Sequence, residues 1–331
     1  RARRGADRRQ LEPPGGAGLR RGVRGPEAVL AVPAGQAILP LDRASPEGHA
    51  RIIAAIKGAD VFVDNLRPGS AAKLGLGWED LKAVNPRLVY CSISGFGRDV
   101  SRPAYDHVVQ AASGMTLCSG AAEDPPSKIG FPLIDAGAGI LAALAIVSAL
   151  RERDRRGEGM LLDVSMASAA LQLMYPLTCD ALTNGTRPPR QGNQAFSGSP
   201  AADIFPTRDG GQIALGANTP AQFLRLLDVL QIAEIGQDPA LFDPPLSKSS
   251  ETAFLRTLDP KTVKVRLAAA VARFDADTLE AELTAARVPA AVVRALDEFA
   301  RDAQAAGEIE TTVLEDNGVR VVSPGLGFRV S

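Results

Sequence analysis

The chain has 331 residues, 45% of them hydrophobic and 23% charged, with a formal net charge of -1. That length and apolar content support an extended core and two domains, and the near-balance of charge excludes the basic excess of a nucleic-acid binder. Aromatic residues make up only 5%, too few for base-stacking platforms. Two histidines, His49 and His107, argue against a multi-histidine metal centre, so no metal is expected. Cys91, Cys118 and Cys179 are widely spaced, with no CxxC pair, which argues against structural zinc and a disulfide framework and points to a reducing cytoplasm. No membrane segment is expected: the longest apolar run, Ile140 to Leu150, has eleven residues and contains Ser148. The charge is uneven, however. Residues 1–24 carry eight arginines against Asp7 and Glu12, which reads as an end outside the folded body or as a basic arm, and the remainder sums to about -7.

In chain order, residues 1–36 show no clean periodicity. Ser45 followed by Pro46 predicts a helix start, continued by the apolar spacing of Ile52, Ile53 and Ile56 and closed by Gly58. Val61 to Asp64 predicts a short buried strand, Asn65 to Gly69 a loop at its carboxyl end, and 70–74 and 79–84 two helices. Asn85-Pro86 ends the second, and Leu88 to Ser94 predicts the next strand. A helix over 105–114, a helix over about 136–153, a strand over 161–165 and a helix over 166–177 follow. Strands alternating with helices predict βαβ units and a parallel sheet. Residues 184–200 form the best linker candidate. Beyond it, Ile204 to Leu215 predicts a hairpin turning at Asp209-Gly210, helices occupy 219–233, 262–272 and 276–286, and a strand begins at Gly318.

Asp135 is the residue to weigh for chemistry. It precedes a small-residue helix, where free N–H groups and the helix dipole favour its charge. An ordinary N-cap is the structural reading. Ala136, Gly137, Ala138 and Gly139 also leave room for a ligand to approach, and a carboxylate can be a covalent nucleophile.

The chain resembles the family III CoA-transferases, the CaiB/BaiF family. The matching runs are Ser45 to Gly48, Ala59 to Gly69, Asn85 to Gly97, Tyr105-Asp106 through Gly114, Asp135, Leu150 to Gly159, Asp163 to Met166, Phe205 to Gly210 and Arg287 to Ala290. Their ordered succession over about 38–330 carries the resemblance. It implies an α/β fold: a Rossmann-like parallel-sheet large domain with a smaller α+β domain, of the interlocked-dimer type. The expected division is a large CoA-binding domain over 1–185, a linker and glycine-containing loop over 186–200, a small domain over 201–310, and a return segment over 311–331.

The resemblance further implies that Asp135 attacks an acyl-CoA thioester. A mixed anhydride and then an aspartyl-CoA thioester would form, and CoA would pass to an acceptor carboxylic acid. Acyl-CoA and the acid are then the partners, coenzyme A is a substrate, and no permanently bound cofactor is needed. Asn65, Leu66 and Arg67 match the CoA-binding loop, with Lys73 close by to meet a phosphate. Tyr105 and Asp106 match a pair lining the pocket and orienting the thioester or acid. Gly192, Asn193 and Gln194 match a loop that covers the anhydride and excludes water. A homodimer is expected, with a heteromer as the other possibility.

Two alternatives stand beside this. The fold also hosts α-methylacyl-CoA racemases, which pair the Asp with a His where this chain has Tyr105. A phenol of ordinary pKa about 10 is a poor proton shuttle near neutrality, but His107 lies two positions on. The other is a catalytically impaired remnant or partner subunit. Against the family pattern, the chain is expected to be incomplete at both ends: it lacks a first strand with its Ala-Gly-Pro loop, and a C-terminal tail.

Overall fold

The computed structural model describes residues 41–43, 45–248, 253–316, 319–325 and 327–328. The arginine-rich start and the departures from the family pattern over 1–37 lie outside the described residues. Contacts divide the chain into two compact units, one spanning Arg43–Val293 and the other including the residues from Arg294 on.

The first sheet grows from the predicted βαβ pattern. Helix α1 (Pro46–Ile56) starts where expected, with the Ser45 hydroxyl accepting the Gly48 N–H at 3.0 Å. Strand β1 (Val61–Asp64), the short helix α2 (Ser70–Lys73), helix α3 (Trp78–Val84) and strand β2 (Val89–Ser94) follow. Asn85 stops α3 and ties its end to α1: its side-chain amide donates to the carbonyls of Ile56 and Ala59 at 3.0 and 2.9 Å. Helix α4 (Asp106–Ala112), the long helix α5 (Leu133–Arg156) and strand β3 (Met160–Ser165) complete the layer. The strands lie parallel in the order β1-β2-β3, with Phe62, Tyr90 and Leu161 in register.

Because side chains alternate across a strand, the two faces of β2 serve different neighbours. Tyr90, on one face, joins a core with Ile56, Leu76, Leu81 and Leu88 beneath α1 and α3. Ile93, on the other, packs with Val109, Ile134 and Ala138 of α4 and α5. Helix α5 begins at Leu133, three residues earlier than predicted, and runs for 24 residues. By length and composition alone it could cross a bilayer, which the eleven-residue apolar run did not suggest. It buries Ile134, Ala138, Ala142 and Ala149 within the protein. Gly159 follows it in a crossing so tight that a β-carbon there would stand 2.0 Å from the Leu88 carbonyl oxygen.

The predicted helix over 166–177 is two helices, α6 (Met166–Leu173) and α7 (Tyr175–Asn184). Pro176 explains the break: it has no N–H to continue the ladder, its ring clashes with the preceding turn, and it suits the second position of a new helix.

Beyond residue 200, strands β4 (Ile204–Pro206), β5 (Gln212–Leu215) and β6 (Ala290–Val292) form a separate antiparallel sheet. Helices α8 (Pro220–Val229), α9 (Pro260–Val271) and α10 (Ala276–Ala285) pack with it around Phe205, Phe223, Phe242 and Leu267. The predicted hairpin is present. The Asp209 carboxylate organises its turn, accepting from the Thr207 hydroxyl at 2.6 Å and the Ala276 N–H at 3.1 Å.

In the second unit, helix α11 (Leu296–Ala305) precedes an antiparallel pair, β7 (Thr311–Asp316) and β8 (Val319–Pro324). The last strand was predicted. Helix α11 and strand β7 were not, although Leu296, Phe299, Ala300 and Ala303 of α11 follow helical spacing and Ala303 is buried.

Candidate active site

Two places in the parallel-sheet layer gather the predicted site residues, and both lie at the carboxyl ends of its strands. The first is the start of α5. Asp135 is the third residue of that helix and not its N-cap, which corrects the N-cap expectation; the N-cap position is Pro132. The helix end is capped instead by Asp106, the first residue of α4. Its Oδ2 accepts the N–H groups of Ile134 at 2.7 Å and Asp135 at 3.0 Å. The remaining first-turn donors are also met, Leu133 N–H by the Phe131 carbonyl and Ala136 N–H by that of Pro132. One turn on along α4, buried Gln110 donates to Asp106 Oδ1 at 2.5 Å and accepts the Ile129 N–H at 2.8 Å. Two polar side chains at i and i+4 on α4 thus grip the Ile129–Asp135 segment at both ends.

The Asp135 side chain is exposed, and among the described residues no hydrogen bond reaches its carboxylate. Partial desolvation, and then the like charge of Asp106, push its carboxyl above the usual carboxylate value. The small residues beside it divide into two roles. Ala136 and Gly139 are exposed, and a β-carbon on Gly139 would meet nothing within 4 Å. Gly137 and Ala138 are buried, and a β-carbon on Gly137 would stand 2.9 Å from Leu173 Cδ1. Room for a ligand is therefore on one side only; Gly137 is small because α6 packs against it. Tyr105 is 70% exposed and lies flat against His107, with ring centroids 6.1 Å apart.

The second place is a cavity of about 120 Å³ beside the loop after β1. Asp64, Leu66, Arg67, Trp78, Tyr90, Ser92, Ser94 and Arg98 line it. Buried Asp64 fixes its wall: Oδ1 accepts the Leu66 N–H at 3.0 Å, and Oδ2 accepts the Tyr90 hydroxyl at 2.7 Å. The same hydroxyl lies 3.1 Å from the Leu76 carbonyl. Burial, and then the bond to Asp64, push the Tyr90 phenol well above its ordinary value, so it remains a donor. Phe62 and Trp78 hold the ring, at centroid distances of 5.1 and 6.2 Å.

Leu66 and Arg67 line this cavity, whereas Asn65 and Lys73 are exposed and outside its lining. Arg98 was missed by the sequence reading, although it directly follows the quoted run ending at Gly97 and sits just past the carboxyl end of β2. Asp135, Tyr105 and Asp106 are not in the lining. Tyr90, Ser92 and Ser94 share one face of β2, and Ile93, which packs toward α5, lies on the other. Tyr105, Asp106 and Asp135 are thus brought together, and the Leu66–Arg67 loop lies across the sheet's carboxyl edge from them.

The predicted covering loop is tied at its start to residues 119–125. Gly192, with φ of +65°, donates its N–H to the Gly120 carbonyl at 3.0 Å, and the Gln194 side chain donates to the Gly198 carbonyl at 3.0 Å. Asn193 is exposed. Neighbouring Arg190 donates to the carbonyls of Ser119, Asp124 and Pro125. Among the described residues no hydrogen bond joins Gly192, Asn193 or Gln194 to Asp135, and no group of three or more His, Cys, Asp or Glu could hold a metal ion.

The chain belongs to CoA-transferase family III, whose family model matches residues 2–331. It is 38% identical over 189 residues to the acetyl-CoA:oxalate CoA-transferase of Acetobacter aceti, covering 56% of this chain and 48% of that protein. It is 32% identical over 202 residues to the succinyl-CoA–D-citramalate CoA-transferase of Chloroflexus aurantiacus, covering 60% of this chain and 50% of that one. A solved CaiB/BaiF family protein from Brucella suis superposes with a TM-score of 0.71 at 27% identity, covering 88% of this chain and 74% of that one. The chain spans about half the length of the curated relatives it matches.

Proposed function

We propose that this chain carries the catalytic centre of a CoA-transferase that moves CoA from an acyl-CoA donor to a carboxylic acid. The observation that carries the reading is the Asp135 carboxylate, exposed at the start of α5 and free of hydrogen bonds among the described residues. In the proposed sequence Asp135 attacks the thioester carbonyl, and CoA leaves as thiolate. The thiolate attacks the Asp135 carbonyl of the mixed anhydride, and the donor acid departs as carboxylate. The acceptor carboxylate then attacks the aspartyl thioester and releases the thiolate again. Attack of that thiolate on the acceptor carbonyl yields the new acyl-CoA and restores Asp135. Each step exchanges one acyl leaving group for another and consumes no water.

A ligand serving both places must reach across the sheet's carboxyl edge, since the arginine-bearing cavity and the α5 start lie against opposite faces of β2. An acyl-CoA has that reach, with anionic phosphates at one end and the thioester at the other. Arg67 and Arg98 suit the phosphates, and Lys73 and Asn65 stand at the rim of this reading. Tyr105 flanks the thioester end, and Gly192–Gln194 belong to a segment that would close over it. Residues 1–185 would form the CoA-binding domain, 186–200 the linker, 201–310 the small domain and 311–331 the return segment. Two copies would form the active cytoplasmic assembly. The exposed α5 stripe of Ile140, Leu144 and Val147, at helical spacing, supports such a contact, and light scattering would measure it.

Succinyl-CoA and acetyl-CoA are the first donors to try, since the similar transferases are named for them. The test is incubation with donor and hydroxylamine, followed by mass spectrometry of the peptide bearing Asp135. A hydroxamate at Asp135 is expected. Transfer of CoA between acids that persists in Asp135→Ala would overturn the reading.

A further inference from the structure

We propose that Asp106 is a positioning residue that keeps the Asp135 carboxylate uncommitted, by taking the helix N-terminal N–H groups that this carboxylate would otherwise bind. The inference rests on the transferase reading for its purpose, and on geometry alone for its substance. An acidic residue at the third position of a helix ordinarily turns back to the N–H of the N-cap residue, as Glu298 does to Ala295 at 2.9 Å in α11. At α5 that partner does not exist, because the N-cap is Pro132 and proline has no N–H. The nearest other donors, the N–H groups of Ile134 and of Asp135 itself, are already held by Asp106. Pro132 thus offers no N-cap donor and Asp106 occupies two of the first-turn donors, while the N–H groups of Leu133 and Ala136 go to the carbonyls of Phe131 and Pro132.

A carboxylate spared these bonds keeps its lone pairs and its basicity for attack. The charge of Asp106, the charged group that acts on Asp135, works in the same direction. Asp106 is itself largely engaged in structure. Its Oδ2 accepts two backbone N–H groups and its Oδ1 accepts Gln110. His107 and Tyr105, on either side of it, are exposed and stack on one another.

The test compares the full chain with Asp106→Asn, Asp106→Ala and Pro132→Ala. Two readouts are used: titration of the Asp135 carboxyl carbon by NMR, and the rate at which succinyl-CoA with hydroxylamine modifies Asp135. Asp106→Asn keeps one acceptor oxygen and loses the charge; Asp106→Ala loses both; Pro132→Ala adds an N-cap donor and leaves Asp106 in place. The Asp135 midpoint is expected to fall in all three, and the modification rate to fall about tenfold in Asp106→Asn and further in Asp106→Ala. A midpoint unchanged in the Asp106 variants would overturn the proposal, and so would a normal rate in Asp106→Ala. If Asp106→Ala fails to fold, Asp106→Asn and Pro132→Ala carry the test. A wild-type chain never modified at Asp135 would overturn the transferase reading instead, while the titration would still decide the role of Asp106.

Discussion

Asp64 and Asp135 stand at the carboxyl edge of the same sheet, and their surroundings have set them to opposite tasks. Asp64 is buried and saturated: one oxygen holds the Leu66 N–H and the other the Tyr90 hydroxyl. Asp135 is exposed, and among the described residues its carboxylate holds nothing. The difference does not lie in the residue but in where the neighbouring donors go. At Asp64 they point to the carboxylate and build a rigid wall for a cavity. At Asp135 the N–H groups of Ile134 and of Asp135 itself go to Asp106, and the Asp135 carboxylate is left without a hydrogen bond among the described residues. A buried carboxylate with all its bonds serves structure, and one denied them is available for chemistry.

The comparison can be broken most decisively at Asp135. Asp135→Asn is expected to lower CoA transfer at least a thousandfold, about 4 kcal/mol on the barrier, as read by an acyl-CoA exchange assay. The melting temperature should stay level or rise at pH 7. The sign follows from the raised carboxyl: its favourable contribution is complete below the unfolded pKa and is lost as pH rises through the folded one, so ionised Asp135 costs stability at neutrality.

Asp64→Ala should do the reverse. Leaving the Tyr90 hydroxyl and the Leu66 N–H without their shared acceptor costs about 2–3 kcal/mol of stability, measurable by urea unfolding. An unchanged unfolding midpoint would erase the contrast. Arg98→Ala should sharpen it from the ligand side. With Arg98 on a CoA phosphate as proposed, its loss should weaken CoA binding by about tenfold in calorimetry, roughly 1.4 kcal/mol, without lowering the rate at saturating donor.

The smallest expected effect is Tyr90→Phe, about 1 kcal/mol near neutral pH. Its pH signature is more telling. The phenol is raised in the folded chain, so its contribution is intact below the unfolded value near 10 and is lost as pH climbs beyond it. Unfolding measured across alkaline pH should therefore show a shallower decline in Tyr90→Phe than in the parent.

The sequence made the strands of the parallel layer legible because they are short apolar runs between strong breakers, as at Val61–Asp64 before the Asn65–Gly69 loop. Asp135 was legible too, as an acid opening a helix of small residues. Its exact station was not. Pro132 gave the cue that the helix begins earlier, and α5 starts at Leu133. Likewise Pro176 marked the break between α6 and α7 that the apolar spacing over 166–177 concealed.

What the sequence determined by itself is the family and the succession of strands and helices in the parallel layer, since these depend on local patterning and the succession of motifs. What only the tertiary structure decided is which acids are spent. Asp106 meets Ile134 and Asp135 across 28 and 29 residues, and Tyr90 meets Asp64 across 26. No periodicity along the chain encodes a hydrogen bond between elements that meet only after the sheet and its helices have packed. The division of the site between two faces of β2 is of the same kind: alternation along a strand separates the faces, but only packing decides that one receives α5 and the other encloses the cavity beside Arg67 and Arg98.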